Sequence, residues 1–298
     1  MTQRYLDVGD TTLFVDDRGP AHAPALLYAH GGPGMSCWDF MHEQGDRLAA
    51  DLRVVGVDQR GLLRSGPVGT RPLTAARIVA DFEAVRTALG IDAWAVLGHS
   101  GGGAYALDYA LAHPDAVAAA VFDCPCWDAD STDRHRLPVT ADLLERYGHL
   151  DEAARCRELA TTPRRLTAED RCHEPMQALD DHYQEMFFAD AGVAAAFDAA
   201  RKESGLGEES WDRGRHHLPL MADMYVDRRP LLARLTVPSL VVHGRGDLVV
   251  TPDMLDRYAA DVPEGKVHVF ERSAHFPCHE EPDEYAAVLS SFLREHAR

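Results

Sequence analysis

Apolar and polar positions follow two alternating patterns along the first part of the chain. Short apolar runs predict strands at Thr12–Val15, Ala25–Tyr28, Val54–Val57, Trp94–Leu97 and Val117–Phe122, with Thr12–Val15 at an edge and Ala25–Tyr28 buried. Between them, Thr74 to Leu89 has helical spacing, with Ile78, Phe82, Val85 and Leu89 on one face and Gly90 as a stop. Ala104–Ala112 reads as a second helix. This alternation predicts an α/β fold, a mostly parallel sheet covered on both faces. From Trp127 to Arg229 the strand-like runs vanish, and helix formers alternate with Pro and Gly breaks. Charges crowd Asp128–Arg136 and Glu203–Arg215, yet Leu143, Leu144, Tyr147, Met186, Phe187, Phe188 and Phe197 are too apolar for a disordered linker. The pattern predicts a helical cap, 127–229, inserted into a core made of 1–126 and 230–298. Strand–helix alternation resumes with Leu240–His243, Pro252–Ala260, Val267–Phe270 and a last helix from Pro282 to about Glu295.

Composition narrows the partners. With 46% hydrophobic residues the chain has enough material for one large domain or a domain with an insertion. Its net charge of −18 argues against a nucleic-acid partner, which a basic stripe would meet, and against an anionic membrane surface. Apolar runs such as Ala116–Phe122 fall far short of the ~20 residues a spanning helix needs. Met1–Asp17 carries four aspartates and no apolar signal core, so a cytoplasmic location is expected. Six cysteines without CxxC spacing read as buried thiols, and His216-His217 diverge too much to share one ion, so no metal is expected. Oligomeric state is left open.

Candidate chemistry begins at Gly98-His99-Ser100-Gly101-Gly102, a GxSxG between a predicted strand and a predicted helix. That setting suits a strained, exposed serine, with glycines allowing the tight turn. A serine hydroxyl needs a base to take its proton, and the base needs a carboxylate to fix its tautomer. At elbows of this kind the partners follow in the order Ser, acid, His, at the ends of later strands. Asp247 sits in HGRGD just after Leu240–His243, and His275 follows Val267–Phe270. His279 and Asp253 are the nearest rivals. For the oxyanion, Gly101 gives one backbone N–H, and the loop His30-Gly31-Gly32-Pro33-Gly34 gives the other. Gly32 is favoured and Gly31 is the alternative, because Pro33 has no N–H. His30 is read as a substrate contact or as a brace for its turn. Arg60 and Arg64 are read as contacts for an anionic substrate group or, in the favoured reading, as braces of the DQRG loop through Asp58 and backbone carbonyls.

HGGPG at 30–34, DQRGLLRS at 58–65, GHSGG at 98–102, HGRGD at 243–247 and SAH at 273–275 together resemble the α/β-hydrolase fold, and more narrowly its proline iminopeptidase branch. The resemblance implies Ser100 as nucleophile, Asp247 as acid, His275 as base, a helical cap and no cofactor. In the cap, Asp180-Asp181-His182-Tyr183 resembles a segment whose carboxylate holds the substrate amine, which implies Asp180 and Tyr183 as substrate contacts. The chain departs from that branch where GGSWG is usual, having Gly101 in place of the Trp and His99 before the serine. The reading is therefore a serine hydrolase of a small amide or peptide, with an esterase, thioesterase or lactonase using the same residues as the alternative. A receptor-like, non-hydrolytic relative is the reading from another class. Trp127, Tyr183, Phe187, Phe188 and Tyr225 are the apolar candidates for a pocket wall.

Overall fold

The computed structural model describes residues 1–296. Eight strands form one sheet: β1 Thr2–Asp7, β2 Thr12–Arg18, β3 Ala25–Ala29, β4 Arg53–Val57, β5 Trp94–His99, β6 Val117–Asp123, β7 Ser239–Gly244 and β8 Lys266–Phe270. Their order is β1-β2-β4-β3-β5-β6-β7-β8. β1 and β2 pair antiparallel with their neighbours, and β3 to β8 run parallel. The edge strands are thus β1 and β8, and Thr12–Val15 belongs to an interior strand. β1 escapes a pattern search because Thr2–Asp7 is polar and alternates between exposed and half-buried. Such a segment becomes a strand only through its partner.

Alternate residues of the central strands point to opposite faces. On one face Leu27, Val55, Val96, Phe122 and Val241 pack against the helices Ala75–Ala88, Gly101–Ala112 and Pro252–Asp261. On the other, Leu26, Val54, Leu97, Val121 and Val242 meet Phe40, Tyr285, Leu289 and Phe292. Thr74 caps its helix by accepting from the Arg77 N–H.

Between β6 and β7 the described residues form helices only, from Ala129 to Arg234. They bury their own cluster, including Leu137, Leu144, Cys156, Leu166, Met176 and Met186. No helix among the described residues is long and apolar enough to cross a membrane. All six parallel strands end at the same edge of the sheet. The GxSxG turn, the HGGPG and DQRG loops, Asp247 and His275 therefore gather there.

Candidate active site

Ser100 leaves β5 at φ 54°, ψ −123°, a positive-φ conformation costing about 1–3 kcal/mol for a residue with a side chain. The turn is pinned on three sides. The Ser100 N–H donates to Asp123 O at 2.8 Å, and its carbonyl accepts from the N–H groups of Gly103 and Cys126, each at 2.9 Å. The helix starts at Gly101, earlier than its apolar spacing predicts. This is sterically allowed because Gly102 has no Cβ, which would lie 2.1 Å from Ala29 O. The HGGPG loop rests directly on the serine: a Cβ on Gly31 would come within 2.9 Å of Ser100 Cβ. Gly32 faces Gly101, with Gly32 O 2.5 Å from where a Gly101 Cβ would sit. The Gly101 N–H is among the first four of its helix, which have no intrahelical acceptor.

His275 Nδ1 lies 2.8 Å from Asp247 Oδ1, and both residues are buried. Asp247 also accepts from the N–H groups of Val249 and Val250 at 3.0 and 3.2 Å. Burial pushes the Asp247 carboxyl up, but His275 and these two donors pull it below its ordinary value. For His275, burial outweighs Asp247 and lowers the imidazole pKa, so the neutral base persists to lower pH. A further pair lies behind them. His99 Nδ1 is 3.1 Å from Asp123 Oδ2, which also accepts from the Tyr285 hydroxyl at 2.9 Å. Predicting strand β6 to end at Phe122 leaves Asp123 without a role, and only its buried position identifies it.

His30, a candidate substrate contact in the sequence, is fully buried instead. Its Nε2 accepts from the Gln59 N–H at 3.2 Å, and its Nδ1 lies 3.1 Å from Gly31 O. The ring therefore ties the HGGPG loop to the DQRG loop. Burial pushes its pKa down to about 4. Arg64 pairs with Asp58 at 2.7 Å, as expected of a brace, while Arg60 turns to Asp81 at 2.5 Å and to Asp10 and Val68 O, each at 2.9 Å. His216 Nδ1 and His217 Nε2 each reach a carbonyl of that loop, Gly61 O and Arg60 O, at 2.9 and 2.8 Å.

The helical segment closes over His275. The His275 N–H donates to Phe187 O at 2.9 Å, and the Phe187 ring stands 5.6 Å from the imidazole. Tyr183 is half-buried, with its ring 5.3 Å from Phe187. Asp180 is exposed, at φ 44°, ψ −116°, and is not gathered into this cluster. Trp127 belongs to the main core, against Phe122 and Tyr258. Phe188 stacks on Phe276 at 4.8 Å. A buried carboxylate does occur in this segment, at Asp133, where it accepts from Tyr225 and Arg136. Its i, i+3 spacing to Arg136 is the one sequence signal that marks it.

All six cysteines are buried free thiols. Among the described residues, one group of three has donor atoms placed for an ion: Cys124, Asp247 and His275, within 4.8 Å of one another. It suits a metal poorly, because His275 Nδ1 already bonds Asp247 and burial raises the Cys124 thiol well above its ordinary pKa.

A family model described as alpha/beta hydrolase fold matches residues 24–282. A proline iminopeptidase from Heyndrickxia coagulans is 29% identical over 301 residues, covering 98% of both chains. Among solved structures, a proline iminopeptidase-related protein from Thermus thermophilus superposes with a TM-score of 0.78 at 22% identity, covering 100% of this chain and 99% of that one. An enol-lactonase from Burkholderia xenovorans gives 0.71 at 18% identity, covering 98% and 100%. At these identities the two structures establish the fold alone.

Proposed function

The chain belongs to the alpha/beta hydrolase fold family, and we propose that within it this protein is a serine hydrolase working through an acyl-enzyme on a small-molecule or short-peptide substrate. The observation that carries the reading is the buried 2.8 Å pair of His275 and Asp247 at the same sheet edge as the strained Ser100 turn. In this reading Ser100 Oγ attacks the substrate carbonyl while His275 Nε2 takes its proton. Asp247 holds the Nδ1–H tautomer and stabilises the imidazolium. Backbone N–H groups of Gly32 and Gly101 meet the oxyanion. His275 then protonates the leaving group, and water, deprotonated by the same imidazole, releases the acyl group. Residues 127–229 act as the cap that selects the substrate.

The likeness to proline iminopeptidases along nearly the whole chain supports a small amide or peptide as substrate. Two observations favour the second reading, an ester, thioester or lactone: Asp180 is exposed, and Gly101 replaces the Trp of the peptidase pattern. A cytoplasmic setting fits six free thiols. The test pairs proline β-naphthylamide with p-nitrophenyl butyrate, on wild type and Ser100→Ala. Amide turnover lost in the variant supports the peptidase reading, and turnover of the ester alone supports the second. Turnover of either by Ser100→Ala at the wild-type rate contradicts both.

A further inference from the structure

The helix Ala129–Arg146 carries Thr132, Arg136 and Thr140 one turn apart on a single stripe. Thr132 donates to Val249 O at 2.8 Å, two residues past Asp247, and Thr140 lies 3.3 Å from Met186 Sδ. Both threonines are buried, yet Arg136 between them keeps 20% of its side chain accessible. The solvent face of this helix is elsewhere, at Pro138, Val139, Asp142 and Glu145. Arg136 therefore lies on the packed stripe of the helix, turned toward Val249 and Met186, and not on its solvent face.

That stripe borders the reacting groups. Tyr183 is close enough to act on the Arg136 charge, and its ring touches Phe187, which packs against His275. Met224, next to Tyr225, places its Sδ 3.1 Å from where a Gly101 Cβ would sit. Asp133 is engaged through both oxygens: Arg136 Nε reaches it at 2.9 Å, Arg136 Nη2 at 2.6 Å and the Tyr225 hydroxyl at 2.5 Å. Its charge is thus already met by a guanidinium, which a substrate amine would have to displace. Arg136 Nη1 and the Tyr183 hydroxyl have no partner among the described residues.

We propose that Arg136 Nη1 and Tyr183 Oη form a subsite for a carboxylate carried by the substrate, whose scissile carbonyl then lies over Ser100. The inference rests on the serine hydrolase reading and deepens it by naming a substrate class. A guanidinium held by Asp133 is preorganised, and its charge-assisted bond to a carboxylate is stronger away from bulk water. The chain's net charge of −18 opposes entry of an anion, so moderate salt raises kcat/KM for such a substrate.

The test compares mono-p-nitrophenyl glutarate with p-nitrophenyl butyrate, and follows fluorophosphonate labelling of Ser100 with and without free glutarate. Wild type is expected to favour the glutarate ester, and Arg136→Gln to reduce the ratio of the two kcat/KM values by roughly tenfold or more. Tyr183→Phe leaves the Asp133 pair intact, so it reports even if Arg136→Gln fails to fold, and it is expected to reduce the ratio by a few-fold. Arg136→Lys recovers part of the loss. Glutarate slows labelling of wild type and not of Arg136→Gln. An unchanged ratio in both Arg136→Gln and Tyr183→Phe, or labelling indifferent to glutarate, overturns the subsite. Absence of any Ser100 labelling overturns the hydrolase reading instead, and calorimetric glutarate binding lost in Arg136→Gln then decides the subsite separately.

Discussion

The imidazoles of His99 and His275 face each other with ring centroids 4.8 Å apart. His99 is tied to Asp123, so a second buried carboxylate stands one ring behind the proposed base. Its negative charge favours the His275 imidazolium and raises the His275 pKa, against the burial that lowers it. Asp123→Asn removes that support, so the His275 pKa falls and the acid limb of the kcat/KM profile moves to lower pH. In wild type that limb is expected below the ordinary histidine value of 6.5, because burial lowers the His275 pKa. A pH–rate profile checks this, and a limb that stays put or moves upward contradicts it.

Gly101 is confined by its neighbours. A Cβ there meets Gly32 O at 2.5 Å and Met224 Sδ at 3.1 Å. Because the closest atom is backbone, the HGGPG loop itself has to shift. Gly101→Ala is expected to lower kcat by about tenfold or more, through displaced oxyanion donors. Gly101→Trp restores the Trp of the peptidase pattern while His99 remains, and it is expected to gain no proline-amide activity. Steady-state kinetics of both variants check this.

Acid weakens the fold through buried neutral histidines. Burial pushes His30 and His217 down to about 4 from 6.5. The unfolded chain then binds more protons between those values, so their stability contribution is complete above pH 6.5 and is lost as pH falls toward 4. Each accounts for on the order of 3 kcal/mol over that window. His217→Gln keeps a donor for Arg60 O, so its urea stability is expected to fall less than wild type's between pH 7 and pH 5, by about 2 kcal/mol.

Order along the chain pointed to the three residues proposed to react, and the structure brings Asp247 and His275 together. A serine between strand and helix, then an acid and a histidine after later strands, leaves few arrangements at one sheet edge. The HGGPG and DQRG loops were legible as partners, but which side chain braces them was not: Arg60 turns to Asp81 and Asp10, from parts of the chain that no local pattern links to it. β1 needed its neighbour to become a strand. Arg136 lay hidden in a crowd of charges, where a solvated face and a guanidinium on the packed stripe have the same sequence. Asp180 matched a family segment, yet its surroundings decide what it does, and it is exposed.

The central claim is that Ser100 is a nucleophile activated by His275 and Asp247. The most direct measurement is intact-protein and peptide mass spectrometry after fluorophosphonate treatment of wild type, Ser100→Ala and Asp247→Asn. The account predicts a single adduct on Ser100 in wild type, none in Ser100→Ala, and labelling slowed by about a thousandfold or more in Asp247→Asn, whose imidazole loses its oriented tautomer. An adduct on another residue, or labelling at the wild-type rate in Asp247→Asn, would contradict it.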